Sequence, residues 1–405
     1  MREGQTLTRI FVIPALVAIA IALGVVVAPE AAGAQETTPE NAPDLDVGSW
    51  ALTDAESGRY LAGKSPDEHV APGSTTKIMV ALVALDEGVN LDDETTVSEN
   101  AASYAGHIYS NVGLYPYDQV SVRELMRAAL IPSGTDAVYA LCEYLGDGSV
   151  EACVQKMNQK AGDMNLKNTH FENPAGLDST EHYTSARDLA IIARAAMKYP
   201  FFAETVATTD SSITTEATQN RTIEFSNTNL LLNSYTPATG IKTGTTPQGG
   251  ASLVSSAESG DESYIAVVLD ASTDEVRFGG SERALEYGFG SFDRRPLVKG
   301  DKVYDEITLP YRRDESRKLV AAKSAEELVG PGTEIERQVK TGEPPASAQK
   351  GDEIGTIDLS IDGRNVKSVP LVVREGYKEA SFWDHVQYTS LNAWRATRKF
   401  FDGLM

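Results

Sequence analysis

Apolar residues along this chain fall into two rhythms, one before about residue 290 and one after it. From residue 49 the segment WALTDAESGRYLAG sets two short runs around Glu56-Ser57-Gly58, the pattern of a β-hairpin. Residues 78–85 (IMVALVAL) are apolar without a breaker and predict a buried helix. Apolar spacing predicts further helices over 121–131, 135–145, 149–162 and 186–197. Strands over 251–257 and 264–271 are joined by the turn 258–262, and a helix over 276–287 follows. Hairpin, helices, strands, helix: this order suits an α/β domain with an antiparallel sheet flanked by helices.

The second rhythm covers 290–376. Short alternating runs, VYDEITL, IGTIDLSI and SVPLVV, are separated by Gly, Pro and Asp, and they predict an all-β, sandwich-like domain. Over 382–405 a helical period returns. Phe382, Trp383, Val386, Trp394, Phe400, Phe401 and Leu404 share about 120° of arc, while Asp384, Asn392, Arg395, Lys399 and Asp402 lie opposite. An aromatic face on a terminal helix fits a peg lying in a membrane interface; the alternative is a helix docked on the protein's own surface.

The first residues belong to neither rhythm. Arg2 and Arg9 lead into an apolar run over 10–28, closed by Ala32-Gly33-Ala34. That is the layout of a secretory signal peptide, or, given the length of the run, of an uncleaved anchor. Both imply export. The expected division is a signal peptide over 1–34, a polar linker over 35–46, and a helix-flanked domain over 47–289. A β-rich domain over 290–377 and an amphipathic helix over 378–405 complete it.

Composition narrows the function classes. At 405 residues the chain exceeds one ordinary core, which agrees with two domains. A formal charge of −22 argues against nucleic acid as a partner, since phosphate binding needs clustered Lys and Arg. The two cysteines, Cys142 and Cys153, flank the turn Gly146-Asp147-Gly148, and in an exported chain they form either a disulfide or buried thiols. The five histidines show no HExxH or other close ligand pair, so no metal or other cofactor is expected.

Three motifs carry the candidate chemistry. Ser74-Thr75-Thr76-Lys77 opens the buried helix, Ser133-Gly134-Thr135 follows the helix ending LMRAALIP, and Lys242-Thr243-Gly244-Thr245 precedes the strand ASLVSSA. A serine hydroxyl is a poor nucleophile until a base takes its proton. At i and i+3 on one helix, Ser74 and Lys77 share a face and can hydrogen-bond. Burial and a second cation, Lys242, would lower the Lys77 pKa far enough for it to act as that base. A helix start at Ser74 also turns backbone N–H groups toward a developing oxyanion. Ser-x-x-Lys alone is weak, with roughly one or two chance matches expected in a Ser-rich chain of this length. Ser347-Ala348-Gln349-Lys350 and Lys340-Thr341-Gly342 are decoys of that kind, set in the loop-like stretch KTGEPPASAQKGDE without a buried helix or a following strand.

The ordered set resembles the signature of penicillin-binding proteins and class A β-lactamases. More closely, the chain resembles the low-molecular-mass penicillin-binding D-alanyl-D-alanine carboxypeptidases. The likeness lies in APGSTTKIMVAL, PSGTDAVYAL, MNQKAGDMNLKNTHFENPAGLD, HYTSARDLA, NTNLLL and GIKTGTTPQGGASLVSSA, with PLVVRE resembling the end of that family's β-rich domain. The resemblance implies a β-lactamase/transpeptidase-like fold on the outer face of a bacterial cytoplasmic membrane. Its substrates would be peptidoglycan stem peptides, its inhibitors β-lactams, and its terminal helix would meet the membrane surface. Ser74 would attack the penultimate D-alanine carbonyl with Lys77 as general base, and Ser133 would relay a proton to the leaving nitrogen. Lys242 would supply positive charge, and Thr243, Gly244 and Thr245 would line the cleft. The N–H groups of Ser74 and Thr245 would form the oxyanion hole. Arg277 would hold the terminal carboxylate, or else be an ordinary surface arginine.

One position departs from the pattern. The family's second motif is Ser-x-Asn, and Thr135 stands where the asparagine would be. A threonine hydroxyl offers one donor on a shorter arm in place of an amide's donor and acceptor. With the nucleophile, base and oxyanion donors intact, an active enzyme is still expected. The alternatives are a β-lactamase and a weakly active or non-catalytic penicillin-binding envelope protein.

Overall fold

A computed structural model describes residues 38–106, 108–216, 220–312 and 315–402. The expected signal peptide lies outside the described residues. In chain order the first part comprises β1 (Val47–Asp54), β2 (Tyr60–Lys64), α1 (Lys77–Asp86), β3 (Glu94–Thr96) and α2 (Glu99–Ser103). Then come β4 (Gln119–Ser121), α3 (Val122–Leu130), α4 (Thr135–Leu145), α5 (Val150–Asp163), α6 (Ala186–Ala196) and α7 (Pro200–Ala207). The hairpin β5 (Asp210–Thr215) and β6 (Arg221–Ser226) and the short α8 (Leu231–Ser234) precede β7 (Ala238–Thr246), β8 (Gly250–Ser259), β9 (Glu262–Ala271) and α9 (Asp274–Ser291).

The main sheet has five strands in the order β2-β1-β9-β8-β7, every pair antiparallel. Both of its faces are covered, and β9 shows why its sequence is nearly unbroken in apolar residues. Ile265, Val267 and Leu269 pack into the cluster formed with α1, α3, α4, α5 and α6. Tyr264, Ala266 and Val268 point the other way, into a second cluster with Ala284 and Leu285 of α9. Helix α1 is buried from Lys77 through Ala84, which accounts for its lack of a polar face. A disulfide joins Cys142 of α4 to Cys153 of α5 across the turn between them.

The predicted hairpin, helices and β8–β9 strands all form. The sequence reading missed β3, α2, β4, α7, β5–β6, α8 and β7. Apart from the buried β7, these are short or half-exposed, and apolar periodicity is faint in all of them: β6 alternates only between intermediate and exposed positions.

The remaining strands are β10 (Asp293–Val298), β11 (Val303–Thr308), β12 (Ser316–Ala321), β13 (Ala325–Val329), β14 (Ile335–Thr341), β15 (Glu353–Ile361) and β16 (Arg364–Val373). They form a five-stranded sheet, β11-β12-β16-β15-β14, and a β10-β13 pair, with a separate core around Leu319, Ile357, Leu359, Val369, Leu371 and Val373. This is the all-β part expected from the alternation. A division near residue 289 would fall in the last turn of α9, and we propose placing it after Ser291. The decoy Lys340-Thr341 is not in a loop but ends β14, an exposed edge strand, where Lys340 pairs with Asp358 at 2.7 Å.

Helix α10 (Phe382–Asp402) closes the described chain. The Ser381 hydroxyl accepts from the Asp384 N–H at 3.3 Å, and the Asp384 carboxylate accepts from the Ser381 N–H at 2.6 Å, a reciprocal cap. His385 and Tyr388 lie against Tyr311, with ring centroids 4.0 and 5.7 Å away. Phe382, Trp383 and Trp394 are 74%, 69% and 58% exposed, so the aromatic arc faces away from the protein. The side chains of Phe400 and Phe401 and all of Leu404 lie outside what is described. No described helix is long and apolar enough to cross a membrane.

Candidate active site

The nucleophile turn is shaped by close backbone approach. Gly73 has φ +56, and a Cβ there would sit 2.9 Å from the Thr245 nitrogen, so only glycine fits. Residues Gly73–Thr76 form a 3-10 turn that runs into α1, so Ser74 sits one turn ahead of the α-helix itself. Lys77 is buried, and its Nζ donates to Ser74 Oγ at 2.7 Å and to the Ala175 carbonyl at 3.2 Å. Burial lowers the Lys77 pKa to about 7, with the Asp136 charge pulling the other way.

The third motif precedes β8 as expected and itself lies within β7, at the edge of the sheet and paired to β8 through Lys242↔Val254 and Gly244↔Ser252. A Cβ on Gly244 would be 2.7 Å from the Pro72 oxygen and 3.2 Å from the Ser74 nitrogen. The motif's glycine therefore lets β7 lie directly on the nucleophile turn, with the Ser74 and Thr245 nitrogens on neighbouring backbones. Lys242 is buried, and burial, with Lys77 and Arg277 nearby, holds its pKa well below the ordinary lysine range. The hydroxyls of Thr243 and Thr228 are 2.6 Å apart.

Arg277, on α9, is buried and not an ordinary surface arginine. Its Nη1 donates to the Gly244 carbonyl and to Thr245 Oγ1, both at 2.9 Å, and its Nη2 pairs with Asp274 at 3.2 Å. The Thr245 hydroxyl in turn donates to the Gly244 carbonyl at 2.8 Å.

Ser133 and Thr135 are also buried. Ser133 has φ +69, a left-handed conformation that costs a serine on the order of 1 kcal/mol or more and that clusters at functional sites. Gly134 donates its N–H to the Ala128 carbonyl at 2.8 Å, and Thr135 begins α4 with its N–H on the Ser110 carbonyl at 2.8 Å. Among the described residues no group of three or more His, Cys, Asp or Glu could hold a metal ion.

The model for the D-alanyl-D-alanine carboxypeptidase family, peptidase S11, matches residues 35–273. The chain belongs to this family. It is 33% identical over 342 residues to D-alanyl-D-alanine carboxypeptidase DacF of Bacillus subtilis, covering 82% of this chain and 86% of the relative. It is also 33% identical to DacC of Escherichia coli, over 89% of this chain and 92% of the relative. Among solved structures, penicillin binding protein 5 from Haemophilus influenzae superposes with a TM-score of 0.66 at 29% identity, covering 85% of this chain and all of that one (100%). The Streptomyces K15 DD-transpeptidase gives 0.60 at 34% identity, covering 62% of this chain and 99% of its own.

Within this carboxypeptidase family site, several residues escaped the sequence reading. Asn173 Oδ1 accepts from the N–H groups of Ala175, Gly176 and Leu177 at 3.2, 2.8 and 2.9 Å, which fixes the carbonyl that Lys77 uses. Gly176 has φ +82, and a Cβ there would fall 1.7 Å from the Gly73 oxygen. His182 is buried with its pKa lowered to about 4 by desolvation. Its Nδ1 accepts from the Glu172 N–H at 3.0 Å, which leaves Nε2 to donate to Thr76 Oγ1, also at 3.0 Å. Asp136, beside Thr135, has no exposed surface. The one available signal was Asn-Pro-x-Gly in NPAGLD, a turn pattern; lone buried Asp and His residues leave no periodic trace.

Proposed function

We propose that this carboxypeptidase removes the terminal D-alanine from peptidoglycan stem pentapeptides through an acyl-enzyme on Ser74. The observation that carries the assignment is the 2.7 Å contact between Ser74 Oγ and a lysine whose pKa burial brings to about 7. Such a lysine is neutral in a useful fraction near neutral pH and can take the serine proton. As it does, Ser74 Oγ bonds to the penultimate D-alanine carbonyl carbon, and the oxygen gains charge facing the Ser74 and Thr245 N–H groups. Collapse breaks the C–N bond, and the leaving nitrogen takes a proton relayed through Ser133. Water then attacks the acyl ester and restores the free serine. Arg277 reaches the substrate carboxylate through Thr245, whose hydroxyl it orients. A β-lactam amide enters the same route and stays as a slowly hydrolysed ester.

The protein acts outside the cytoplasm in this reading, in keeping with the Cys142–Cys153 disulfide. Helix α10 would lie in the membrane interface: its polar side is engaged by Tyr311 and its aromatic side is left free.

The test is incubation of purified protein with a pentapeptide ending in D-Ala-D-Ala. One D-alanine is expected per peptide, leaving a tetrapeptide. An intact peptide alongside a stable penicillin adduct would make this a binding protein, and rapid turnover of benzylpenicillin would make it a β-lactamase.

A further inference from the structure

The proposed route leaves one buried charge at the site unused. Asp136 is wholly buried and its oxygens are satisfied by main-chain donors. Oδ2 accepts from the N–H groups of Val112, Gly113 and Leu114 at 3.2, 2.9 and 3.0 Å. Oδ1 accepts from Val112 at 3.1 Å and from Ala137 at 2.9 Å. Three successive amides turned onto one carboxylate form a concave anion nest, and φ +76 at Gly113 bends the chain into it.

The segment gripped in this way is held at several further points. Leu114 is buried in the core and Val112 packs against it, while Ile108, Tyr109, Tyr115 and Tyr117 on either side are exposed, so apolar burial fixes only the middle of the loop. At its far end Arg221 donates to the Gly113 carbonyl at 3.2 Å, pairs with Asp118 at 2.6 Å and stacks on Tyr115 at 3.8 Å. At the near end the Ser110 carbonyl takes the Thr135 N–H. Loop 108–118 and the start of α4 are thus one unit, and the strained Ser133 leads directly into it.

We propose that Asp136 is a positioning residue for acyl transfer: its carboxylate locks the 112–114 amides to the start of α4 and thereby holds the second motif against the Ser74–Lys77 pair. The inference rests on the reading of that pair as nucleophile and base. The same charge also faces Lys77 and favours its protonated form against burial, while Lys242 on β7, itself flanked by Lys77 and Arg277, is held well below the ordinary lysine range. Replacing the carboxylate by an amide should therefore do two separable things. It weakens the nest, because the amide oxygen can replace only one carboxylate oxygen and the amide nitrogen cannot accept from the N–H groups of Val112 and Ala137 that meet the other. It also leaves Lys77 neutral down to lower pH.

The test is single-turnover acylation by benzylpenicillin from about pH 5 to 9 in wild type, Asp136→Asn and Gly113→Ala. Gly113→Ala is informative because an added Cβ meets nothing within 4 Å, while φ +76 disfavours alanine, so the nest loosens with the charge in place. Asp136→Asn is expected to lower the plateau rate about tenfold or more and to move the acid limb to lower pH. Gly113→Ala is expected to lower the plateau with the limb unmoved. An Asp136→Asn enzyme with the wild-type limb, whose rate loss only tracks its folded fraction, overturns the proposal. Should that variant not fold, an unchanged plateau in Gly113→Ala overturns it equally. A wild type that forms no adduct refutes the nucleophile assignment instead.

Discussion

At the scale of single residues, the site is built at the expense of stability. Lys77 titrates near pH 7 in the fold against 10.5 for an ordinary lysine, so between those values the unfolded chain binds the extra proton and stability rises with pH. Below about pH 7 the buried charge weighs on the fold in full. Lys77→Met is therefore expected to be inactive yet to raise Tm by several degrees at neutral or lower pH, with the gain shrinking as pH climbs toward 10.5. Calorimetry across that range checks it, and a lower Tm at pH 6 would contradict it. Thr135 poses a second question. If the family's asparagine aligns lysine and substrate, Thr135→Asn should speed acylation by a pentapeptide, chiefly in kcat, since such contacts strengthen in the transition state. A slower variant means the pocket is fitted to threonine, and single-turnover acylation of both forms decides. Ser74, Lys77 and Lys242 were legible because nucleophile, base and cation sit at fixed spacings in three motifs. Asp136 and His182 were not, because their roles arise from partners such as Gly113 and Thr76, far away in sequence.

At the scale of elements, legibility followed burial. Helix α1 and strand β9 are buried on every side and appear in the sequence as unbroken apolar runs. Strand β7 did not, because ATGIKTGTT owes its burial to Gly244 pressed against residues 72–75, to Gly240 pressed against Val206 and to Lys242, not to apolar alternation. Helix α10 shows the opposite case. Its apolar arc was readable as a pattern, and the structure leaves the described part of that arc in solvent, with Phe382 and Trp383 second only to Ile108 in exposure among the described large apolar residues. Removal of residues 380–405 is expected to release the protein from anionic lipid vesicles while hydrolysis of a soluble peptide continues. Equal vesicle partitioning by full-length and shortened protein would make α10 a structural helix only.

At the scale of the whole molecule, the residues of the proposed site all lie before the β-rich part, on α1, α4, β7 and α9 and the turns leading into them. The Streptomyces K15 DD-transpeptidase is matched over 99% of its length by 62% of this chain. The β-rich part is fastened to the sheet domain at one corner by apolar packing, with Phe292 and Leu328 buried in the core between the main sheet and α9, and by polar contacts. Arg294 pairs with the buried Asp54 at 3.2 Å and with Glu56 at 2.7 Å, and Arg59 donates to the Leu328 carbonyl at 2.6 Å. This two-part layout was visible as a change of apolar rhythm near residue 290, whereas the corner joining the parts pairs residues more than two hundred positions apart and left no local signal.

The central claim is that one serine, Ser74, carries the acyl group. Its most direct test is mass spectrometry of peptides from penicillin-treated protein. The account expects a single adduct on the peptide containing Ser74, lost in a folded Ser74→Ala variant. An adduct that persists in Ser74→Ala, or that maps to Ser133 or Ser347, would contradict it.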